Sequence, residues 1–338
     1  MSPGLLPLAL TMGDASGIGP EIVAMALGRG AVPGGFVVGD VAVLRRAAAL
    51  VARHEHTSLP VAVLERPSDA LDVPPRCVPV LPVAGLPGEL AALPYGRIDA
   101  RAGAAAAACI RHAVALARSG SVAGIVTAPI HKGALAAAGE PYPGHTELLQ
   151  AEAGAGAVRM MLANDELKTV LVSIHLSLRQ AIEAVTLEAV LTTLRIAHAA
   201  ARRWGDARPR IAVAGLNPHA GEGGLFGFEE QRFIAPAIEA ACREGIDARG
   251  PLAPDTVFMR ARRGEFDLVV AMYHDQGLIP IKYLGVERGV NVTLGLPFVR
   301  TSPDHGTAFD LAGSGRADPS SLIAACEMAR RLGAVPAG

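Results

Sequence analysis

Short apolar segments alternate with longer amphipathic segments along the chain, and this alternation predicts the fold. The short segments are rich in Val, Ile and Leu, as buried strands are, and the longer ones have the Ala- and Leu-rich composition of helices. The predicted strands are residues 5–12, 35–38, 61–64, 124–127, 169–174, 211–216 and 268–272. The predicted helices are residues 20–28, 41–53, 100–118, 186–203, 228–243 and 319–332. We therefore expect an α/β fold in which crossover helices join parallel strands.

Residues 67–99 interrupt this pattern, because they are rich in Pro and Gly and show little periodicity. We expect a long surface excursion there. With 338 residues, of which 51% are hydrophobic and 19% charged, the chain can bury a large core. This length suits two domains or one large α/β unit.

The charge balance and the cysteines narrow the partners and the compartment. Thirty-one Lys and Arg residues against 32 Asp and Glu residues give a formal charge of -1, so we expect small-molecule partners rather than nucleic acid or anionic lipid. No apolar stretch approaches the roughly 18 to 20 residues that span a bilayer, and the N-terminus lacks the layout of a secretory signal. Four widely spaced cysteines without a CxxC pair fit reduced thiols. We therefore expect a cytoplasmic protein.

Three of the ten histidines stand just beyond strongly apolar predicted strands. They are His175, His219 and His274. Ligands of open parallel sheets bind outside the carboxyl ends of the strands, so these side chains can converge despite their separation in sequence. Three imidazoles with open positions are typical of a catalytic metal site, whereas a single histidine of this kind is more often a hydrogen-bonded rim residue. On spacing alone the two interpretations are about equally favoured, and the neighbouring Asp275 could be a further ligand or an acceptor that orients an imidazole.

Two glycine-rich loops each join a predicted strand to a predicted helix. The loop at 217–227 is a candidate phosphate-binding loop, with Asn217, Gly221, Gly223 and Gly224 as expected contacts of a dinucleotide. It is not a G-x-G-x-x-G motif, and the loop at 13–20 lacks the Lys-Ser/Thr of a Walker A motif. As isolated patterns, both loops are more often tight turns than nucleotide sites.

Several polar residues could bind an anion. His145 and Thr146 open a predicted helix, where free N–H groups suit a phosphate or a carboxylate, although a simple capping turn explains them too. Arg300, followed by two hydroxyl residues, offers a guanidinium to an anion or to a buried ion pair. Lys282 and Asn291 lie in the same weakly helical, Gly-rich part of the chain.

Seven motifs together resemble one family, 4-hydroxythreonine-4-phosphate dehydrogenase (PdxA), over the whole chain. They are MGDASGIGPE at 12–21, TAPIHKG at 127–133, GHTE at 144–147, LNPHAGEGG at 216–224, PDT at 254–256, YHDQG at 273–277 and RTSPDHGT at 300–307. The resemblance implies two α/β/α lobes around a cleft, similar to isocitrate and isopropylmalate dehydrogenases, with NAD bound outside the usual Rossmann mode. We place the first lobe at residues 1–130 plus 285–338 and the second at 131–284.

The resemblance also implies the site. His175, His219 and His274 would hold a divalent metal, which could be Zn, Mg or Co, with one ligand supplied across a homodimer interface. The implied substrate contacts are His145, Thr146, Lys282, Asn291 and Arg300. For general acid/base assistance our hypothesis is Asp255, or His145 with its neighbours, with Lys282 and Arg300 neutralising substrate anions.

The reaction implied by the resemblance is oxidation of the C3 hydroxyl of 4-phosphohydroxy-L-threonine by NAD or NADP, with decarboxylation to 3-amino-2-oxopropyl phosphate, in pyridoxal phosphate biosynthesis. Residues 173–179 and 306–310 resemble paralogues as much as they resemble the enzyme of pyridoxal phosphate biosynthesis. Those paralogues act on D-threonate or D-erythronate 4-phosphate, or on the cis-dihydrodiol of terephthalate. From another class, the alternatives are a metal-dependent hydrolase and an inactive binding protein.

Overall fold

The computed structural model describes residues 6–333, which form α/β structure as predicted. The strands are β1 Leu8–Thr11, β2 Gly35–Gly39, β3 Val61–Val63, β4 Val78–Pro82, β5 Ile125–Thr127, β6 Arg159–Ala163, β7 Lys168–Leu171, β8 Ile211–Ala214, β9 Ala248–Leu252, β10 Leu268–Ala271, β11 Val290–Leu294 and β12 Arg300–Pro303. The helices are α1 Gly19–Gly28, α2 Val41–His54, α3 Ala100–Arg118, α4 Lys132–Ala137, α5 His145–Ala153, α6 Leu178–Glu183, α7 Leu187–Arg203, α8 Ala235–Arg243, α9 Pro254–Arg262, α10 His274–Tyr283 and α11 Ser320–Gly333. Every predicted strand and helix has a counterpart, with ends displaced by a few residues, although residue 5 of the first predicted strand lies outside the described residues.

The chain divides into two compact units. Within the described residues, the first unit comprises 6–156 and 296–333, and the second comprises 157–295. The lobes expected from the sequence are 1–130 plus 285–338 and 131–284. Their boundaries, after residues 130 and 284, lie earlier in the chain than those of the units, after residues 156 and 295, and they include termini outside the described range. They stay a prediction.

The first unit contains a parallel sheet. Its strands follow the order β3-β4-β2-β1-β5-β12, and every adjacent pair is parallel. The central strand β1 is fully buried, and Phe36, Leu8 and Leu10 are among the largest buried side chains. The loop at 13–20 leads from β1 into α1, where Pro20 takes an early helical position that needs no N–H donor, as expected.

The expected surface excursion at 67–99 is wrong in part, because it contains strand β4. Val78 and Val80 are fully buried, and β4 lies between β3 and β2 in the sheet. The prolines of this strand suggested a loop. Pro79 is tolerated because β2 begins to pair only opposite Val80, so its missing N–H costs no bond to that neighbour.

The second unit departs from the purely parallel sheet that we expected. Its strand order is β11-β6-β7-β10-β8-β9, and the pairs β11/β6 and β6/β7 are antiparallel. The hairpin between β6 and β7 turns at Asn164, whose side-chain oxygen accepts from the N–H groups of Glu166 and Leu167. Such an Asx turn needs only a short polar segment, which leaves no trace in the alternation of strand and helix patterns. Among residues 6–333, no helix is long and apolar enough to cross a membrane.

Candidate functional site

A small cavity in the first unit lies at the carboxyl ends of β5 and β12 and beside the start of α5. It encloses about 80 Å³, enough for a few water molecules or a group of phosphate size. The residues that line it are Thr127, Pro129, Ile130, His145, Ser302, Pro303, His305 and Gly306. Hydroxyl and imidazole groups thus meet where first-turn N–H groups of a helix also favour an anion.

Arg300 is buried beside this cavity and is held by Thr127. Its Nη2 donates to Thr127 Oγ1 at 2.6 Å, and the two residues are only 3% and 0% exposed. Burial lowers the pKa of the Arg300 guanidinium to about 10, which still leaves it charged at neutral pH. A fixed cation therefore lies next to the cavity.

His145 places a neutral imidazole in the same wall. Burial and the nearby positive charge of Arg300 hold the pKa of His145 well below its usual range, and a hydrogen bond to the backbone of Ala128 only partly offsets them. Its Nε2 atom is buried without a hydrogen-bond partner. Because the ring is neutral and its other nitrogen serves Ala128, Nε2 is an acceptor for a donor group of a ligand.

Ion pairs on Arg111 fix the segment that carries His145. The Arg111 guanidinium, on α3, makes two bonds to Glu140 at 2.8 and 2.6 Å and one to Glu152 at 2.7 Å. Glu140 precedes the turn into α5, and Glu152 lies in its last turn. Both ends of the presenting segment are therefore tied to α3.

The two hydroxyl residues that follow Arg300 do not both face the cavity, contrary to the expectation that both offer a hydroxyl to an anion. Ser302 lines it, but the Thr301 hydroxyl donates to the carbonyl of Ala325 at 2.8 Å. Successive side chains of a strand point to opposite faces, which explains the difference. Thr127 was missed as a candidate, although its place at the end of a buried strand inside the TAPIHKG motif was an available signal.

Two of the predicted metal ligands lie together in the second unit. The ring centroids of His175 and His274 are 5.9 Å apart, at the ends of the neighbouring parallel strands β7 and β10. Asp275 Oδ1 lies 2.7 Å from Nδ1 of His274. This carboxylate orients the imidazole and leaves Nε2 for another partner.

His219 does not join them. Its ring lies against Phe226, with centroids 6.2 Å apart, and in residues 6–333 no group of three His, Cys, Asp or Glu side chains is placed to hold a metal ion. His219 is exposed. The three-histidine site stays a prediction.

Two side chains tie the strand ends that precede these histidines. Ser173 Oγ donates to the carbonyl of Met272 at 2.9 Å, which joins the ends of β7 and β10. Gln276 accepts from the N–H of Met272 and donates to the carbonyl of Gly215, both at 2.7 Å, which joins the ends of β10 and β8. The polar ends of three strands therefore form one hydrogen-bonded edge.

The glycine-rich loop at 217–227 has an unusual backbone. His219, Ala220, Gly221, Glu222 and Gly223 all have positive φ, between 43° and 81°. Left-handed backbone costs roughly 1–2 kcal/mol for each residue other than glycine, so the surrounding contacts must enforce it.

The same loop was expected to contact a dinucleotide through Asn217, Gly221, Gly223 and Gly224. The side chain of Asn217 donates to the carboxylates of Glu229 and Glu230, and the N–H of Asn217 donates to Glu230. The donors at the start of the loop are thus already paired with carboxylates. The dinucleotide assignment stays a prediction.

The remaining candidates lie in the second unit as well. Asp255 is exposed in the first turn of α9, Lys282 is exposed in the last turn of α10, and Asn291 is half-buried in β11 opposite Leu162. His145, Thr146 and Arg300 belong to the first unit. The assignment of these residues as substrate contacts stays a prediction.

The chain is similar to known dehydrogenases over almost its whole length. The chain is 58% identical over 328 residues to 4-hydroxythreonine-4-phosphate dehydrogenase from Beijerinckia indica subsp. indica, covering 96% of this chain and 95% of that protein. It is 45% identical to D-threonate 4-phosphate dehydrogenase from Pectobacterium atrosepticum, covering 96% and 98%. The crystal structure of 4-hydroxythreonine-4-phosphate dehydrogenase from Klebsiella pneumoniae superposes with a TM-score of 0.90 at 44% identity, covering 98% and 99%.

The fold and the cavity define an α/β protein with a small polar cavity next to a buried arginine. The family model of the pyridoxal phosphate biosynthetic protein PdxA matches residues 32–329. The chain belongs to this family, which confirms the resemblance noted in its motifs. The dehydrogenase names of the relatives support an oxidoreductase that acts on a CH–OH group.

Proposed function

We propose that the chain is a cytoplasmic, metal-dependent NAD(P) dehydrogenase that oxidises the C3 hydroxyl of 4-phosphohydroxy-L-threonine. The product, after loss of carbon dioxide, is 3-amino-2-oxopropyl phosphate, an intermediate for pyridoxal phosphate. The observation that carries this proposal is the cavity lined by Thr127 and His145, with Arg300 bonded to Thr127 beside it, in a chain 58% identical to a protein of that name. All four cysteines are free thiols, in keeping with a reducing compartment.

The phosphate end of the substrate suits the cavity of the first unit. Arg300 supplies a charge that cannot move away, because Thr127 holds its Nη2 and protein surrounds it. Ser302 adds a hydroxyl, and the first turn of α5, with Thr146, adds backbone N–H groups. The neutral His145 accepts from a substrate hydroxyl or a protonated phosphate oxygen.

The donor set of the second unit fits two positions of a divalent metal such as Zn²⁺, Mg²⁺ or Co²⁺. His175 and His274 are neighbours, and Asp275 orients one of the rings. We assign the third position to His219 of a second copy of the chain. When bound, the metal would lower the pKa of a coordinated substrate hydroxyl, and NAD or NADP would accept the hydride.

The residues of this chain would do the rest. Asp255 and Lys282 are exposed groups that can exchange a proton with the substrate or, in the case of Lys282, neutralise its carboxylate. Asn291 would orient the substrate by hydrogen bonds. The roles of Lys282 and Asn291 rest on the resemblance to the family, whereas the role of Asp255 is our own hypothesis.

A homodimer with shared sites is part of the proposal. Large apolar side chains are exposed near the proposed metal ligands: Leu176 (48%), Leu178 (60%), Leu225 (73%), Phe226 (47%) and Ile279 (62%). Exposed apolar residues in such a concentration are typical of a protein interface. A second copy would cover them and bring its His219 to the site.

D-threonate 4-phosphate is the second candidate substrate, favoured by the 45% identity to a dehydrogenase of that name. It carries the same phosphate and an oxidisable hydroxyl, so the cavity of the first unit does not distinguish the two. The distinction must come from groups that meet the amino or hydroxyl substituent at C2.

The test is reduction of NAD and NADP by the metal-free protein, with and without added Zn²⁺, Mg²⁺ or Co²⁺. The substrates are 4-phosphohydroxy-L-threonine, D-threonate 4-phosphate, D-erythronate 4-phosphate and the cis-dihydrodiol of terephthalate. We expect metal-dependent turnover, with the first substrate giving the highest kcat/KM. Turnover without metal, or no dinucleotide binding by calorimetry with metal present, would contradict the proposal and favour a binding protein or a hydrolase.

A further inference from the structure

His219 is the first of five consecutive residues, 219–223, that have left-handed backbone. Three of the five are not glycines and so have no intrinsic preference for this conformation. His219, Ala220 and Glu222 are not glycines, yet their φ values are 53°, 55° and 43°. Such residues keep left-handed backbone only where surrounding contacts enforce it. The contact that enforces it must therefore come from outside the five residues.

Backbone bonds from the N–H of Ala220 to the carbonyl of Asn217 and from the N–H of Phe226 to the carbonyl of Gly221 close the segment. Glu230 holds the residues at which the chain enters it. Its Oε1 accepts from the N–H groups of Leu216 and Asn217, at 2.8 and 2.7 Å, and its Oε2 accepts from the side-chain amide of Asn217 at 3.0 Å. The two N–H groups belong to the residues at which the chain leaves β8 and turns towards His219. One carboxylate thus fixes the direction in which the loop departs.

The loop is also packed closely around this carboxylate. A Cβ atom added to Gly221 would lie 2.7 Å from Glu230 Oε2, and one added to Gly215 would lie 3.2 Å from Oε1. Glu230 itself is only 3% exposed. A buried carboxylate with three donors is rigid, and its neighbours cannot move without losing hydrogen bonds.

The backbone of Glu230 has a second special feature. Residues Glu230–Ile234 form a π-helical turn that continues into α8. Turns of this kind are rare and occur frequently at functional sites. The turn ties the carboxylate to the packed helix α8, and so connects the loop to the core of the unit.

We propose that Glu230 is a positioning residue for the metal ligand His219: its carboxylate holds the left-handed loop that presents the imidazole to a divalent cation. This inference rests on the proposed function, because it takes His219 as a ligand. Glu230 does not touch the cation. It sets the geometry of the ligand, as partners outside the coordination sphere do in other metal sites.

The test is binding of Co²⁺ to the full-length, metal-free protein, measured by calorimetry and by the visible absorption of the bound ion. Glu230→Gln keeps the size of the side chain but turns one acceptor into a donor that faces the amide of Asn217. We expect Co²⁺ affinity to fall about 10–100-fold and the absorption spectrum to change. At saturating Co²⁺, kcat should return towards that of the wild type.

Glu229→Gln is the matched control. Glu229 is adjacent and accepts from the side-chain amide of Asn217 at 2.8 Å and from backbone N–H groups of its own segment, Phe228 and Glu229. The N–H groups of Leu216 and Asn217, at the start of the loop, bond to Glu230 instead. We expect its Co²⁺ affinity and spectrum to equal those of the wild type. If Glu230→Gln fails to fold, Glu230→Asp is the second variant. Its shorter side chain moves the carboxylate away from the N–H groups of Leu216 and Asn217, so we expect the same loss of Co²⁺ affinity.

The outcomes separate the two claims. If His219→Ala binds Co²⁺ as tightly as the wild type does, the proposed metal site is wrong. If His219→Ala loses the ion but the folded Glu230 variants keep wild-type affinity and spectrum, only the positioning role is wrong. Loss of kcat that saturating Co²⁺ does not restore would also overturn the positioning role.

Discussion

Replacement of Thr127 by Val tests whether a fixed Arg300 binds the substrate phosphate. The two side chains have nearly the same shape, so the change removes one acceptor and leaves the packing. The lost bond joins Nη2 of a buried guanidinium to Thr127 Oγ1 at 2.6 Å. A hydrogen bond to a charged group contributes about 1.5–3 kcal/mol, and its loss leaves a charged N–H without this acceptor.

Two measurements follow from that magnitude. Since a tenfold change in an equilibrium corresponds to about 1.4 kcal/mol, KM for the phosphorylated substrate should rise roughly 10–100-fold as Arg300 loses its orientation. The melting temperature should also fall, by about 3–12 °C for a unit of this size. Steady-state kinetics and thermal melting are the assays.

Thr301→Val is the control, because it makes the same substitution on β12, next to Arg300, at a hydroxyl that does not line the cavity. The Thr301 hydroxyl donates to the carbonyl of Ala325, so its loss should lower the melting temperature and leave KM unchanged. If Thr127→Val raises KM no more than Thr301→Val does, Arg300 is not the phosphate ligand that we propose.

Two further predictions concern stability. The lowered pKa of His145 means that below about pH 6.5 the unfolded chain takes up a proton that the folded chain does not. The free energy of unfolding should therefore decrease as the pH is lowered, by at most about 1.4 kcal/mol per pH unit. His145→Gln should flatten this slope in denaturant titrations between pH 5 and 6.5; an unchanged slope would be evidence against a neutral, buried His145. Gly103→Ala should destabilise the fold by about 1–3 kcal/mol, since its Cβ would lie 2.1 Å from the carbonyl oxygen of Ala134, whereas Gly156→Ala, where a Cβ meets nothing, should change little. Equal melting temperatures for the two glycine variants would show that α3 and α4 are not packed as described.

The sequence pattern predicted the α/β fold well, because buried strands and amphipathic helices leave strong periodic signals. It predicted less about strand direction. The antiparallel hairpin around Asn164 depends on a side-chain hydrogen bond within a short turn, and β4 depends on where its partner strand begins. Neither property has a periodic signature.

The candidate site was likewise predictable from the sequence only in part. The neighbouring positions of His175 and His274 follow from the rule that parallel strands end at one edge, and the structure places their rings 5.9 Å apart. His219 follows the strand next to β10 and was expected beside them. Its loop has left-handed backbone dihedrals and begins at residues held by the buried carboxylate of Glu230, and neither property can be read from the order of residues. Thr127 was missed for a similar reason, since its role depends on a side chain 173 positions away.

Subunit complementation tests the shared metal site most directly. His175→Ala and His219→Ala chains are purified separately, mixed under conditions that exchange subunits, and assayed for Co²⁺ content and metal-dependent NAD reduction. If His219 serves the site of the other subunit, each mixed dimer contains one complete site, and an equal mixture should recover about one quarter of wild-type activity although neither parent is active. If all three histidines belong to one chain, or if no metal is needed, the mixture will be no more active than its parents, and the account will be contradicted.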